Sequence, residues 1–235
     1  MSQRHEEHIL GGGKIRSVIL GLNDGLISTF TLLVGVAAAT LVTTGGNAIV
    51  ILTGIAAMVS GAISMGLGEY ISSKSEYNYI KNEIKKEKAE IQLFPEEERQ
   101  EVEELCREFG LAGDSLKECV DSITSNEDTW IKFLLKSELG LEEPENPLMG
   151  AILTFLAFIL GSFIPQLPYF FNLGFGSLVI SSILSFGSLF FAGTLKTKIT
   201  GESKIRSGLE MVIIGIVAFI ASFGIGTILE QIVVT

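Results

Sequence analysis

The sequence predicts an all-α integral membrane protein with five transmembrane helices and a cytoplasmic helical insert between helices 2 and 3. Three observations predict it. First, the apolar residues, 47% of the chain, are gathered into long runs and not spread as in soluble domains. The runs are Ser17–Val42, Ala48–Ser72, Leu148–Ile164, Leu173–Leu195 and Leu209–Val234. Each is close to or above the roughly 18 to 20 residues that cross a bilayer as a helix. Second, five crossings put all 17 lysines and arginines on one membrane face, which the positive-inside rule makes the cytoplasmic one. Third, residues 74–146 are polar and hold 20 acidic against 10 basic side chains, so the whole net charge of −10 lies there. The domains expected are 1–73 (N-terminal arm and helices 1–2), 74–146 (an acidic helical domain) and 147–235 (helices 3–5).

Taken in order, residues 1–16 form a polar arm containing His5 and His8, the only two histidines. Three apart, they can share a helix face and hold a metal, or sit in a solvated arm; the solvated arm is preferred. The first run has no small-residue cleavage site after a short apolar core, so it is a retained helix. It carries one carboxylate, Asp24, which costs about 3 kcal/mol within a membrane and therefore seeks a partner or a wet cavity. The alternative is that Asp24, flanked by Asn23 and Gly25, caps a broken helix. In the second run Met65 lies about eight residues from the cytoplasmic end, as Asp24 does in the first. At 1.5 Å per residue both are roughly 12 Å deep. Glu69 is one turn nearer the surface on the face of Met65. The three form a candidate transport path, and Gly61, Gly66 and Gly68 are positioned for close helix approach.

The insert reads as four helical pieces. Lys74 to about Ile91 continues the second run, and Phe94-Pro95 breaks it. Glu96–Phe109 follows, with Gly110 as its stop. Asp114 or Ser115 caps a short helix through Ile123, and Asn126 or Asp128 caps one containing Trp130 and ending near Gly140. Glu87 and Glu90 are three apart, as are Glu98 and Glu101, so each pair shares a face. If the chain reverses at Phe94-Pro95, the two faces meet. Gathered carboxylates repel unless a cation neutralises them. With Glu138 as a further candidate, they make an oxygen-ligand metal site or, equally on spacing alone, a solvated acidic face. Pro147 opens the third span, and Pro165 or Leu167 ends it. The last two runs are packing helices joined by a basic linker. Cys106 and Cys119 fall on the cytoplasmic side, where reduced packing thiols are expected.

Several motifs together resemble the vacuolar iron transporter (VIT/CCC1-like) family. They are Asn23-Asp24-Gly25-Leu26, Met65-Gly66-Leu67-Gly68-Glu69-Tyr70, the Pro147, Gly161 and Pro165-Gln166-Leu167-Pro168 pattern, and Arg206-Ser207-Gly208-Leu209-Glu210 followed by Gly215. The resemblance implies a homodimeric exporter of Fe(II), sometimes Mn(II), in exchange for protons, with the ion path between two subunits. It places Asp24 and Met65 on that path, and Glu87, Glu90, Glu98, Glu101 and Glu138 in a metal-gathering cytoplasmic domain. Ser17 and Ala57 stand where some members carry acidic residues, Glu69 where some have glycine, and Leu134-Leu135 where some have a methionine pair. These departures suggest that a carboxylate has moved to Glu69.

The function expected is proton-coupled export of Fe(II), with Mn(II) as a second substrate, from the cytoplasm. Its partners are metal ions, protons, the lipid bilayer and a second copy of the chain, with no tightly bound cofactor. The alternative is a non-transporting membrane metal sensor or scaffold whose acidic insert binds a protein. Met65 argues against Mg and Ca, and the absence of His or Cys among the candidate glutamates argues against a dedicated Zn or Cu site. No nucleophile–base pair or phosphate loop suggests an enzyme, and the −10 charge disfavours nucleic acid. The membrane expected is the plasma membrane in a prokaryote or a vacuolar-type membrane in a eukaryote.

Overall fold

The computed structural model describes residues 12–40, 46–141, 145–200 and 202–233. The His5–His8 pair, most of the first outer loop, Pro144 and the last two residues lie outside the described residues. Among the described residues eight α-helices follow one another: α1 (Gly12–Thr40), α2 (Gly46–Leu93), α3 (Pro95–Glu108), α4 (Gly113–Thr124), α5 (Glu127–Ser137), α6 (Pro147–Gln166), α7 (Phe175–Thr200) and α8 (Lys204–Val233). No strand occurs among the described residues. Five of these helices are long and apolar enough to cross a membrane: α1, α2, α6 with its following 3-10 turn, α7 and α8. The chain divides into two compact units, Met1–Tyr70 with Leu148–Thr235, and Ile71–Pro147.

In the first unit α1 is central and packs against both α7 and α8. Phe30, Leu33, Val34 and Ala37 of α1 join Val50, Tyr169 and Leu178 in a buried cluster closed by Phe186, Phe219 and Phe223. Within a bilayer, packing and hydrogen bonding hold such helices together, because lipid is as apolar as leucine. That is why α1 and α6 approach at bare backbone. A Cβ on Gly25 would fall 2.2 Å from the Phe158 carbonyl oxygen, and one on Gly161 would fall 2.2 Å from that of Leu22. Ser162 then reaches across to donate to the Gly25 carbonyl at 3.1 Å. Gly61 and Gly66 do accommodate neighbours, Phe158 and Phe155, but a Cβ on Gly68 would meet nothing within 4 Å. Gly68 therefore plays no part in close approach within the chain. Gly161→Ala should destabilise the protein by about 3 kcal/mol, the upper end for overpacking, because backbone cannot yield as a side-chain tip can. Gly68→Ala should be neutral or stabilising by up to about 1 kcal/mol. Thermal unfolding of the two variants in detergent checks both.

In the second unit, α3, α4 and α5 close on the latter part of α2 around Ile91, Val102, Cys106, Leu116, Val120, Trp130, Ile131, Leu134 and Leu135. Pro95 at the first position of α3 breaks the chain from α2, since proline lacks the N–H a continuing helix needs. Gly110 takes a left-handed φ of +85° just past α3, the usual helix stop. Asn126 caps α5 by accepting from the Thr129 N–H at 3.0 Å. The start of α4 differs from the sequence expectation. Gly113 turns with φ +62° and Ala112, not Asp114 or Ser115, occupies the cap position. Asp114 thus lies within the first turn, where its charge still meets the positive helix end.

Candidate metal path and glutamate cluster

In the membrane-type unit, Asp24 and Met65 line one cavity of about 510 Å³, together with Ser28, Thr29, Leu32, Ala57, Gly61, Ser64 and Phe158. The walls come from α1, α2 and α6. Gly21 and Gly25 are taken up in contact with Thr154 and Phe158 of α6, while Asp24 between them stays exposed on the chain's own surface. Ser28 donates to the backbone carbonyl of Asp24, which leaves the carboxylate itself for the cavity. The Asn23 Oδ1 and Thr29 Oγ1 atoms are buried without a hydrogen-bond partner. One anionic oxygen, one thioether sulfur and several hydroxyls make a donor set of mixed hardness. Such a set suits a borderline first-row ion better than Mg or Ca, which take oxygen ligands.

Glu69 is not among the residues lining this cavity. Its Oε1 accepts a hydrogen bond of 2.9 Å from the hydroxyl of Ser17, itself buried. A Cβ on Gly150 would come within 3.2 Å of the same oxygen. The carboxylate is thus held beside residue 17 and the start of α6, one turn from Met65 along α2.

In the second unit, the five glutamates face one another. Glu87 and Glu98 are buried, at 6% and 7% exposed, while Glu90 and Glu101 are exposed. Burial, and then the charges of Glu138, Glu98, Glu90 and Glu101, push the Glu87 carboxyl up to about 7. Burial again comes first for Glu98, followed by Glu101, Glu90, Glu138 and Glu97, and it also rises to about 7. Glu138 is raised by burial and by Glu101 and Glu90. One oxygen of Glu98 is buried with no hydrogen-bond partner. Four ion pairs among the described residues of the unit, Lys86–Glu83, Lys88–Glu127, Arg99–Asp121 and Arg107–Glu103, use other carboxylates. Like charge held together in this way favours a cation. Among the described residues, however, no three His, Cys, Asp or Glu side chains are close enough to grip an ion as they stand.

A signal in the sequence marks three of the glutamates. Ile80, Ile84, Glu87 and Ile91 follow helical spacing along α2, as Glu98, Val102 and Cys106 do along α3. Glu138 lies one turn beyond Leu134 and Leu135 at the end of α5. These three carboxylates therefore continue apolar stripes, positions that ordinarily take a hydrophobic residue. Leu134 and Leu135 are themselves packed in the core and bring no sulfur to the cluster.

The VIT family profile matches residues 15–227. The chain is 35% identical over 229 residues to vacuolar iron transporter 1 of Arabidopsis thaliana, covering 96% of this chain and 90% of that one. It is 33% identical over 235 residues to vacuolar iron transporter 2 of Oryza sativa subsp. japonica, covering 99% and 94%. It is also 34% identical over 215 residues to protein CCC1 of Saccharomyces cerevisiae, covering 87% and 65%.

Proposed function

The chain belongs to the VIT family, a family of membrane transporters and not of enzymes, and from that premise we propose that it exports Fe(II) from the cytoplasm in exchange for protons. Mn(II) is the second substrate proposed, and a homodimer the working form. The observation that carries the reading is the shared cavity of Asp24 and Met65 among membrane-type helices. The ionised Asp24 carboxylate and the Met65 thioether hold the ion. Protonation of Asp24 from the far side removes the anionic ligand and releases it. Glu69, fixed by Ser17, serves as the carboxylate at the cytoplasmic mouth. A carboxylate left facing lipid on a single chain is costly, and a second copy across an axis through α1 and α2 covers it.

The insert, read as cytoplasmic, gathers the ion before transport. A divalent cation offsets the mutual repulsion of the five glutamates and draws them together. Their all-oxygen character fits Fe(II) and Mn(II) and disfavours softer ions. The names of the relatives support iron as the cargo and a vacuolar-type membrane in a eukaryotic host; the plasma membrane takes its place in a prokaryotic one. Proteoliposomes with an acidic interior test the proposal. Fe(II) uptake that stops on adding a protonophore is expected. Uptake indifferent to the gradient would overturn proton coupling. Metal binding without any uptake would overturn transport in favour of a sensor.

A further inference from the structure

The chain has two cysteines, and their Sγ atoms lie 3.7 Å apart across α3 and α4. Both are free thiols. Cys106 is 1% exposed inside the core of the second unit; Cys119 is half-buried and packs against the same cluster. At this separation the sulfurs are in contact, and a small side-chain rotation or helix slide brings them to bonding distance. We propose that Cys106 and Cys119 form an oxidation site, closing to an intramolecular disulfide when the protein meets hydrogen peroxide.

The two positions divide the chemistry between them. Cys119 is the sulfur solvent can reach, so its thiolate attacks the peroxide. The O–O bond breaks, one oxygen stays on Cys119 as a sulfenic acid, and the other leaves and takes up a proton as water. The Cys106 sulfur then attacks the Cys119 sulfur and breaks its S–O bond. The departing hydroxide leaves as a second water with the Cys106 proton. Two thiols have lost two electrons, and the peroxide has been reduced to two waters. Burial pushes the Cys106 thiol up to about 11, so it stays protonated at rest and acts only after its neighbour is oxidised. A soft-metal site is the competing use of such a pair. A structural zinc needs four ligands, and no third His, Cys, Asp or Glu joins these sulfurs among the described residues.

The product clamps α3 to α4 across a short loop, which constrains the unfolded chain more than the folded one. It also falls one to two turns beyond Glu101 on the helix that carries Glu98. A link to metal handling rests on the proposed function; the disulfide itself does not. Its test uses the purified full chain in detergent with stoichiometric hydrogen peroxide, followed by alkylation, digestion and mass spectrometry. Both thiols should disappear together, a Cys106–Cys119 cross-linked peptide should appear, and dithiothreitol should restore the thiols. The denaturant midpoint read from Trp130 should rise on oxidation in the wild type and not in Cys119→Ser. Thiols that survive the peroxide, Cys119 driven alone to sulfinic acid, or bonds between chains would each overturn the assignment. The wild-type peptide map decides even if Cys106→Ser, which puts a hydroxyl in the core, fails to fold.

Discussion

Asp24→Asn is expected to reduce Fe(II) flux by about 100-fold or more, because it removes the one anionic ligand of the cavity while preserving its shape. Taking a full charge from an ion in a low-dielectric site forfeits roughly 3 kcal/mol, which is that factor. The amide also cannot take up the proton that drives release, so residual flux should no longer respond to the pH gradient. The variant should remain folded, since the contacts that fix α1 are made by Gly21 and Gly25 against α6 and by the Ser28 hydroxyl on the Asp24 backbone carbonyl. Metal binding to the glutamate cluster, read from Trp130 in the second unit, should be unchanged. Proteoliposome flux measured beside that signal separates a broken path from a damaged protein. Wild-type flux from Asp24→Asn would remove Asp24 from the mechanism. Met65→Leu nearly conserves volume, and a smaller loss falling more on Fe(II) than on Mn(II) is expected, because only the softer ion uses the sulfur.

How far the residues alone lead depends on what sets each feature. Spans and breaks depend on local composition, and so are readable: the apolar runs, Pro95 after α2, Gly110 after α3 and Asn126 before α5 all act through their own backbone or side chain. Contacts between helices depend on rotation and register, which no single helix encodes. Depth counting placed Asp24 and Met65 at one level, and both line one cavity. The same counting stacked Glu69 beneath them, whereas Glu69 is turned to Ser17. Gly61, Gly66 and Gly68 look alike in sequence, yet only the first two meet a neighbour. The Gly25–Gly161 approach and the Cys106–Cys119 contact join segments whose pairing is fixed by packing alone. For the insert, spacing of three put each pair of glutamates on one helix face. It did not separate Glu87 and Glu98, inside, from Glu90 and Glu101, at the rim, although the isoleucine stripe around Glu87 carried that information.

That inner pair makes the metal-free protein sensitive to pH in a definite direction. Glu87 and Glu98 titrate near 7 in the folded chain, against about 4.3 when unfolded. Between those values the folded state binds more protons than the unfolded one, so stability falls as pH rises. The helix end at α3 opposes this by favouring negative charge nearby, but burial and four like charges outweigh it. In chelator, the second unit should therefore be most stable below about pH 4.5 with respect to these groups. It should lose on the order of 1–2 kcal/mol per group by pH 8, allowing for screening at the wet rim. Trp130, the sole tryptophan, is buried in that unit, so urea unfolding followed by its fluorescence reports on the right region. Fe(II) or Mn(II) should restore the loss, since an ion that binds only the folded cluster stabilises it by mass action. Glu87→Gln and Glu98→Gln should flatten the pH dependence, raise metal-free stability at pH 8 and weaken the rescue by metal. A wild-type protein whose stability rises from pH 5 to pH 8 in chelator would mean that these carboxylates find compensation without a cation, and the case for a gathering site would go with it.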